Sequence, residues 1–336
     1  MTGAFLVNAS RSGSTMMSTM LAQHPTIASL SEFLATQGAR ALLPGAISGA
    51  EYWRQLAQPT SVMRRLANPD ASPSEFLYHK VAGGRHDPWD CPPLLAVTLP
   101  HLFDDPDAVF ADLERIVCTW PAQTRDVHHA ALFEHLCALK GRQSWVERSG
   151  GALFSIAALR DAFPKAKIVV LLRDGRDVAL SMRDHLPSRF MIWVWKRALG
   201  LGIDPFAPSR QIGTSRWIAL AERFGGHFVP MERIMRTRPA LADCAAYWSA
   251  MTTHGLDALA KTPDQEKLIL HYEDLVSAPR TELSRLMSFL DAPCPEDWLQ
   301  AASGVPKERR SKFLDLSPTQ KAGLNDATAQ VRARLG

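Results

Sequence analysis

Residues 5–15 read Phe5-Leu6-Val7-Asn8-Ala9-Ser10-Arg11-Ser12-Gly13-Ser14-Thr15. An apolar run of strand type enters a short polar loop that holds one glycine, and a helical pattern follows through Met16, Met17, Met20 and Leu21. A strand, a tight loop of small residues and a helix N-terminus together make an anion site. Backbone N–H groups converge in the loop, and the helix dipole favours negative charge there. The plain alternative is a surface turn between a strand and a helix.

The loop departs from the nucleoside-triphosphate pattern GxxxxGK[ST]. That pattern needs glycine where Asn8 stands and lysine where Ser14 stands, although Gly13 and Thr15 fit. The missing lysine would have reached the β- and γ-phosphates, so its absence argues against chemistry on a terminal phosphate. Arg11 brings a cation into the loop from a different position.

The chain has 336 residues, 46% of them apolar and 21% charged, as in an ordinary soluble globular protein. A net charge of +4 is too mild to point to nucleic acid and suits a small polyanion. Cys91, Cys118, Cys137, Cys244 and Cys294 are scattered with no CxxC pair, so neither a zinc site nor a disulfide framework is indicated. Reduced thiols, no basic leader and no apolar run near the ~20 residues of a membrane span lead us to expect a cytoplasmic protein.

Three segments read as buried strands: Ala4–Asn8, Lys167–Leu172 and Lys267–Tyr272, with a weaker fourth at Ser144–Glu147. Helical patterns lie between them, which predicts an α/β fold: three layers, P-loop-like, around a central parallel sheet. Strand-bearing pieces span the whole chain. We therefore expect a single domain over 1–336, with helical insertions at about 35–142 and 185–262 that wall a substrate pocket.

The strand at 167–172 runs into Arg173-Asp174-Gly175-Arg176-Asp177, and Ser181 follows eight residues after Arg173. If a helix starts near Gly175, Arg173 at the strand's C-terminal edge and Ser181 two turns on can hold a second phosphate. Alternatively, Arg173, Asp174, Arg176 and Asp177 form surface ion pairs at a helix start.

Taken together, the two segments resemble the PAPS-dependent sulfotransferase family (PAPS is 3'-phosphoadenosine-5'-phosphosulfate), closest in motif to its tyrosylprotein and carbohydrate types. The resemblance spans residues 4–34, 144–185 and 243–335. It implies that Arg11, Ser12, Gly13, Ser14 and Thr15 hold the 5'-phosphosulfate, and that Arg173 and Ser181 hold the 3'-phosphate. His271-Tyr272-Glu273-Asp274-Leu275 is similar to the family's YEDL segment, which would set Tyr272 beside the adenine. Trp145-Val146-Glu147-Arg148-Ser149-Gly150 takes the place of a segment that usually carries a lysine near the transferring group; here Arg148 stands for that lysine and Gly150 for the usual proline. The family also commonly lays a basic loop over the 3'-phosphate, which points to the cluster Lys307, Arg309, Arg310 and Lys312; a solvated charge run is the plainer reading.

The implied reaction moves a sulfuryl group from PAPS to a hydroxyl or amine of an unidentified acceptor, releases PAP and requires no metal. Arg11 and Arg148 would stabilise the transferring group; Arg148 could instead pair with Glu147 or Asp161. Glu32, at the family's distance from the loop arginine, would be the general base. Ser29-x-x-Glu32 also matches a helix capping box, which needs no chemistry. Histidine is the competing base, with His24, His79, His101, His128, His129 and His185 in the chain. Phe190–Trp195 reads first as core packing, and otherwise as the lining for an apolar acceptor or a subunit contact. The acceptor could be a small molecule, a carbohydrate, a lipid or a peptide tyrosine, and a homodimer stays open. Two other classes remain: a nucleotide-type kinase, for which the loop lacks its lysine, and a non-catalytic nucleotide-binding protein of the same fold.

Overall fold

The computed structural model describes residues 3–67, 73, 75–207, 216, 218–219, 229–308 and 310–335. Its centre is a parallel sheet of five strands in the order β2-β3-β1-β4-β5. These are β1 (Gly3–Asn8), β2 (Ile27–Ser31), β3 (Ser144–Ser149), β4 (Lys167–Leu172) and β5 (Lys267–His271). β1 lies in the middle, with Leu6 opposite Arg148 on β3 and Asn8 opposite Leu171 on β4. The chain crosses to β2 and β3 on one side of β1 and later to β4 and β5 on the other. The C-terminal ends beside β1 are therefore a topological switch point, where open parallel sheets bind ligands.

Both sheet faces are covered, as the continuous apolar run of β4 requires. Phe5, Val7, Ile168 and Val170 face one cluster, which holds most of the helices. Leu6, Val169 and Leu171 face the other, with Met17, Met20 and Leu21 from α1 (Ser14–Ala22) and Leu283 and Leu286 from the helix Pro279–Phe289.

Two sequence expectations change. β2 is a fifth strand. Its Ser29 and Ser31 interrupt the apolar pattern, but both are buried and bonded: Ser29 Oγ donates to Ser18 O (3.3 Å), and Ser31 Oγ accepts from Arg148 Nη2 (2.5 Å). Ser29 is thus a strand residue and caps nothing. Capping boxes lie elsewhere, as at Ser48 and Glu51 ahead of the helix Gly49–Ala57. β5 ends at His271, and Tyr272 begins the next helix, Tyr272–Ser277.

The stretch 35–142 is helical as expected, with the helices Ser61–Leu66, Pro106–Val117 and Arg125–Leu139 among its elements. Beyond β4 come the helices Gly175–Asp184, Leu186–Gly200 and Leu241–Ala260. No helix among the described residues is long and apolar enough to cross a membrane.

Candidate active site

The loop after β1 bends through left-handed backbone: Ser10 has φ 67°, Arg11 54° and Gly13 90°. Asn8 Oδ1 accepts from Ser10 N (2.7 Å) and pins the first bend. Gly13 is required for two reasons. Its φ belongs to the region that disfavours side chains, and a Cβ there would stand 2.5 Å from the Tyr272 ring. Ser12 and Ser14 are buried in the loop, while Thr15 is exposed at the start of α1.

β4 delivers the second cation. Arg173 lies over the Tyr272 ring, its guanidinium carbon 4.4 Å from the centroid, and its Nη1 donates to Arg11 O (3.3 Å). Arg11 Nε donates to Ser181 Oγ (3.1 Å), and its Nη1 pairs with Glu75 (3.1 Å). The first loop, Arg173, Ser181 and Tyr272 therefore form one bonded group. The neighbouring charges are structural: Asp174 caps the helix Gly175–Asp184 by accepting from Arg176 N (2.9 Å) and forms an ion pair with the Arg176 guanidinium.

β2 and β3 supply a carboxylate and a guanidinium. Glu32 has left-handed backbone, φ 56°, uncommon and strained for a non-glycine residue. Arg148 Nη1 donates to Glu32 Oε1, and Gly150 N donates to Oε2 (2.9 Å). Arg148 therefore pairs with Glu32, not with Glu147 or Asp161, and both partners are buried. The two positions that depart from the sulfotransferase pattern converge here, since a proline at 150 would have no N–H to give.

Sequence reading missed the support beneath this pair. Glu32 is the N-cap residue of α2 (Phe33–Gln37), yet its side chain makes no cap bond. Glu147 Oε1 accepts from Leu34 N (3.2 Å) and Ser149 Oγ accepts from Ala35 N (3.0 Å), so β3 caps α2 from outside. That leaves the Glu32 carboxylate for Arg148 and Gly150. Burial pushes the Glu147 carboxyl up to about 7, against the bonds from Ser149 and Leu34. A glutamate inside a buried strand was the available signal.

The two halves of the site meet on one cavity of about 830 Å³. Arg11, Gly13, Ser14, Thr15, Glu32, Arg148, Arg173, Ser181 and Tyr272 reach it, and Ser12 does not. Of the basic cluster, Lys307 lines the cavity. Arg310 pairs with Asp315 (2.9 Å), Lys312 is exposed, and Arg309 lies outside the described residues.

His185 is the histidine among the cavity-lining residues. Its Nε2 stands 3.5 Å from Glu75 Oε2, and its Nδ1 is 2.9 Å from Ser188 Oγ. Burial tends to raise the Glu75 carboxyl, but bonding and charge from His185, with Arg11, hold it down to about 2. Of the other candidate histidines, His24, His101, His128 and His129 have structural partners and His79 is exposed. His129 Nε2 donates to Ala41 O (2.7 Å) and its Nδ1 accepts from Tyr52 OH (2.7 Å), while burial lowers it to about 4. Burial also brings His101, beside Ser29 and Ser18, down to about 4.

A strand-loop-helix turn at the switch point of a parallel sheet faces a buried Glu–Arg pair, an arrangement suited to group transfer. Residues 154–304 match the family model described as the sulfotransferase domain. The matched span holds Arg173, Ser181 and Tyr272 and lies beyond the first loop, Glu32 and Arg148. The recognition drawn from the motifs stands. Among solved structures, the chain is similar to the sulfotransferase domain from the curacin biosynthetic pathway (16% identity, 99% of this chain and 98% of that one, TM-score 0.47). It is also similar to a sulfotransferase from Alicyclobacillus acidocaldarius (16%, 98% and 92%, 0.40) and to a mouse sulfotransferase complexed with PAP (12%, 98% and 82%, 0.36). At these scores the likenesses carry no residue-level argument. Comparison with curated proteins gives no match.

Proposed function

We propose that this protein transfers a sulfuryl group from PAPS to an acceptor hydroxyl, with the whole chain acting as one domain whose helical insertions wall the site. The observation that carries this reading is the bonding of Arg11, Arg173, Ser181 and Tyr272 into one group on the cavity that Glu32 and Arg148 also line.

The residues fit an adenylate with phosphates at both ends. Arg173 Nε and Arg148 Nε are buried with no hydrogen-bond partner among the described residues, and each is a donor that an anion satisfies. Gly13 leaves room for the Tyr272 ring, which in this reading lies beside the adenine. In this reading the loop N–H groups and Arg11 take the phosphosulfate, Arg173 and Ser181 take the 3'-phosphate, and Lys307 adds an exposed cation.

The acceptor oxygen attacks sulfur in line. An O–S bond forms while the bond from sulfur to the 5'-phosphate oxygen breaks, and its electron pair leaves on PAP. Negative charge grows on that leaving oxygen, so fixed cations stabilise the transition state more than the ground state. Arg11 and Arg148 supply this charge. Glu32 takes the acceptor proton; the approaching hydroxyl displaces one of its present donors, Arg148 or Gly150. The five cysteines are free, which supports a reducing, cytoplasmic setting.

Melting with adenosine 3',5'-bisphosphate, and separately with magnesium-ATP, tests the nucleotide half of this reading. At 100 times its Kd the bisphosphate should stabilise the fold by about 2.7 kcal/mol. A shift with ATP alone favours a kinase and overturns the proposal. Transfer of label from PAPS to an acceptor then separates an enzyme from a binding protein.

A further inference from the structure

The cavity has two chemically distinct linings. Its charged groups are mostly bonded to one another: Arg11 with Glu75, Glu75 with His185, Arg173 with the Arg11 carbonyl, and Arg148 with Glu32. Much of the remaining lining is hydrocarbon from the helical insertions. The helix Leu186–Gly200 presents Phe190, Met191 and Val194, and the helix Ser61–Leu66 presents Val62, Met63 and Leu66.

The spacing is that of two helix faces. Ile192 and Trp195 of the first helix are spent in the main core. Phe190 and Val194 belong instead to a small cluster with Val62 and Leu66, and Met191 packs against both clusters, so the two helices meet across an apolar seam. Met191 and Val194 stay only partly buried in that seam. Sequence reading favoured core packing for Phe190–Trp195; the helix in fact divides this stretch between core and cavity.

We propose that the acceptor is an apolar alcohol, with its hydroxyl at Glu32 and Arg148 and its hydrocarbon body against Met191, Val194 and Met63. This rests on the sulfuryl-transfer reading. A sugar would set hydroxyls against side chains that offer no strong hydrogen-bonding group, leaving those hydroxyls dry and unpaired. An acidic peptide would bring carboxylates to the same hydrocarbon. An aliphatic or fused-ring alcohol covers it and leaves only its hydroxyl among the charges, as ligand sites with apolar walls and few polar groups require. The alcohol loses its proton to Glu32, its oxygen bonds to sulfur, PAP leaves with the electron pair of the broken S–O bond, and an amphipathic sulfate ester results.

The full chain is assayed with labelled PAPS against 1-hexanol, 1-octanol, 1-decanol and 2-naphthol, with N-acetylglucosamine and an acidic tyrosine peptide as contrasts. We expect transfer to the apolar alcohols, with KM falling roughly two- to fourfold per added methylene along the alkanol series. Met191→Glu should raise KM for 1-octanol at least tenfold and leave the melting shift with adenosine 3',5'-bisphosphate intact, which also shows the variant to be folded. Transfer to the sugar or the peptide with the alcohols inert overturns the proposal. So does a flat KM along the alkanol series, a test that needs no variant. If the bisphosphate itself fails to stabilise the wild-type protein, the sulfuryl-transfer reading falls first and this inference falls with it.

Discussion

The two linings of the cavity are made by different kinds of chain. The strand-end loops hold their groups by short, specific bonds: left-handed backbone at Arg11, Gly13 and Glu32, an N–H from Gly150, and a guanidinium stacked on Tyr272. The helical lining holds side chains by packing alone, through Phe190, Met191, Val62 and Leu66. The first kind fixes atoms to hydrogen-bond tolerance, as a transferring group needs. The second sets size and polarity and tolerates exchange of one hydrocarbon for another. Chemistry and acceptor choice should therefore separate under mutation.

The strongest way to break that comparison is Glu32→Gln. The amide keeps one acceptor oxygen for Arg148 or Gly150, gives up the other of these bonds, and cannot take a proton. We expect turnover to fall by about 10²–10⁴-fold, with the bisphosphate melting shift unchanged. Wild-type turnover would remove Glu32 as the base. Arg173→Ala should come next. It deletes a charge-assisted phosphate contact and the partner of Tyr272, and should weaken the bisphosphate by about 10–100-fold in calorimetry. An unchanged Kd would move the 3'-phosphate elsewhere.

Gly13→Ala sharpens the argument for strand-end precision. Strain at φ 90° and the crowded Tyr272 ring should lower stability by about 2–3 kcal/mol in denaturant unfolding. A neutral result would mean that the loop bends differently.

The smallest effect tests the support under Glu32. The folded Glu147 carboxyl, raised to about 7, binds its proton more tightly than the unfolded chain does. Its unfavourable contribution is absent at low pH and grows as pH rises from the ordinary carboxyl range to about 7. The wild-type protein should thus lose about 1–2 kcal/mol from this group between pH 5 and 7. Glu147→Gln should flatten that slope in melts across pH, and an identical slope in both proteins would refute the assignment.

The polar lining was largely legible because its signals are local. Asn8 to Thr15 carries strand, bend and helix start in adjacent residues, and Arg173 directly follows an apolar strand. What escaped is what pairs across the fold. Glu75 and Arg11 are 64 residues apart, and Glu32 and Arg148 are 116 apart. β2 escaped because its buried serines imitate an exposed segment until Ser18 and Arg148 are seen to satisfy them.

The sequence by itself determined the parallel α/β frame, the strand-loop-helix turn after β1 and the arginine that follows β4. Each follows from residues within a few positions of one another, where backbone preference and apolar period act directly. Only the tertiary structure decided that Arg148 pairs with Glu32, that Glu147 and Ser149 cap α2 in its stead, and that the helix Leu186–Gly200 turns part of its apolar surface toward the cavity. Those outcomes depend on strand order and helix rotation, which are set by how the whole chain packs.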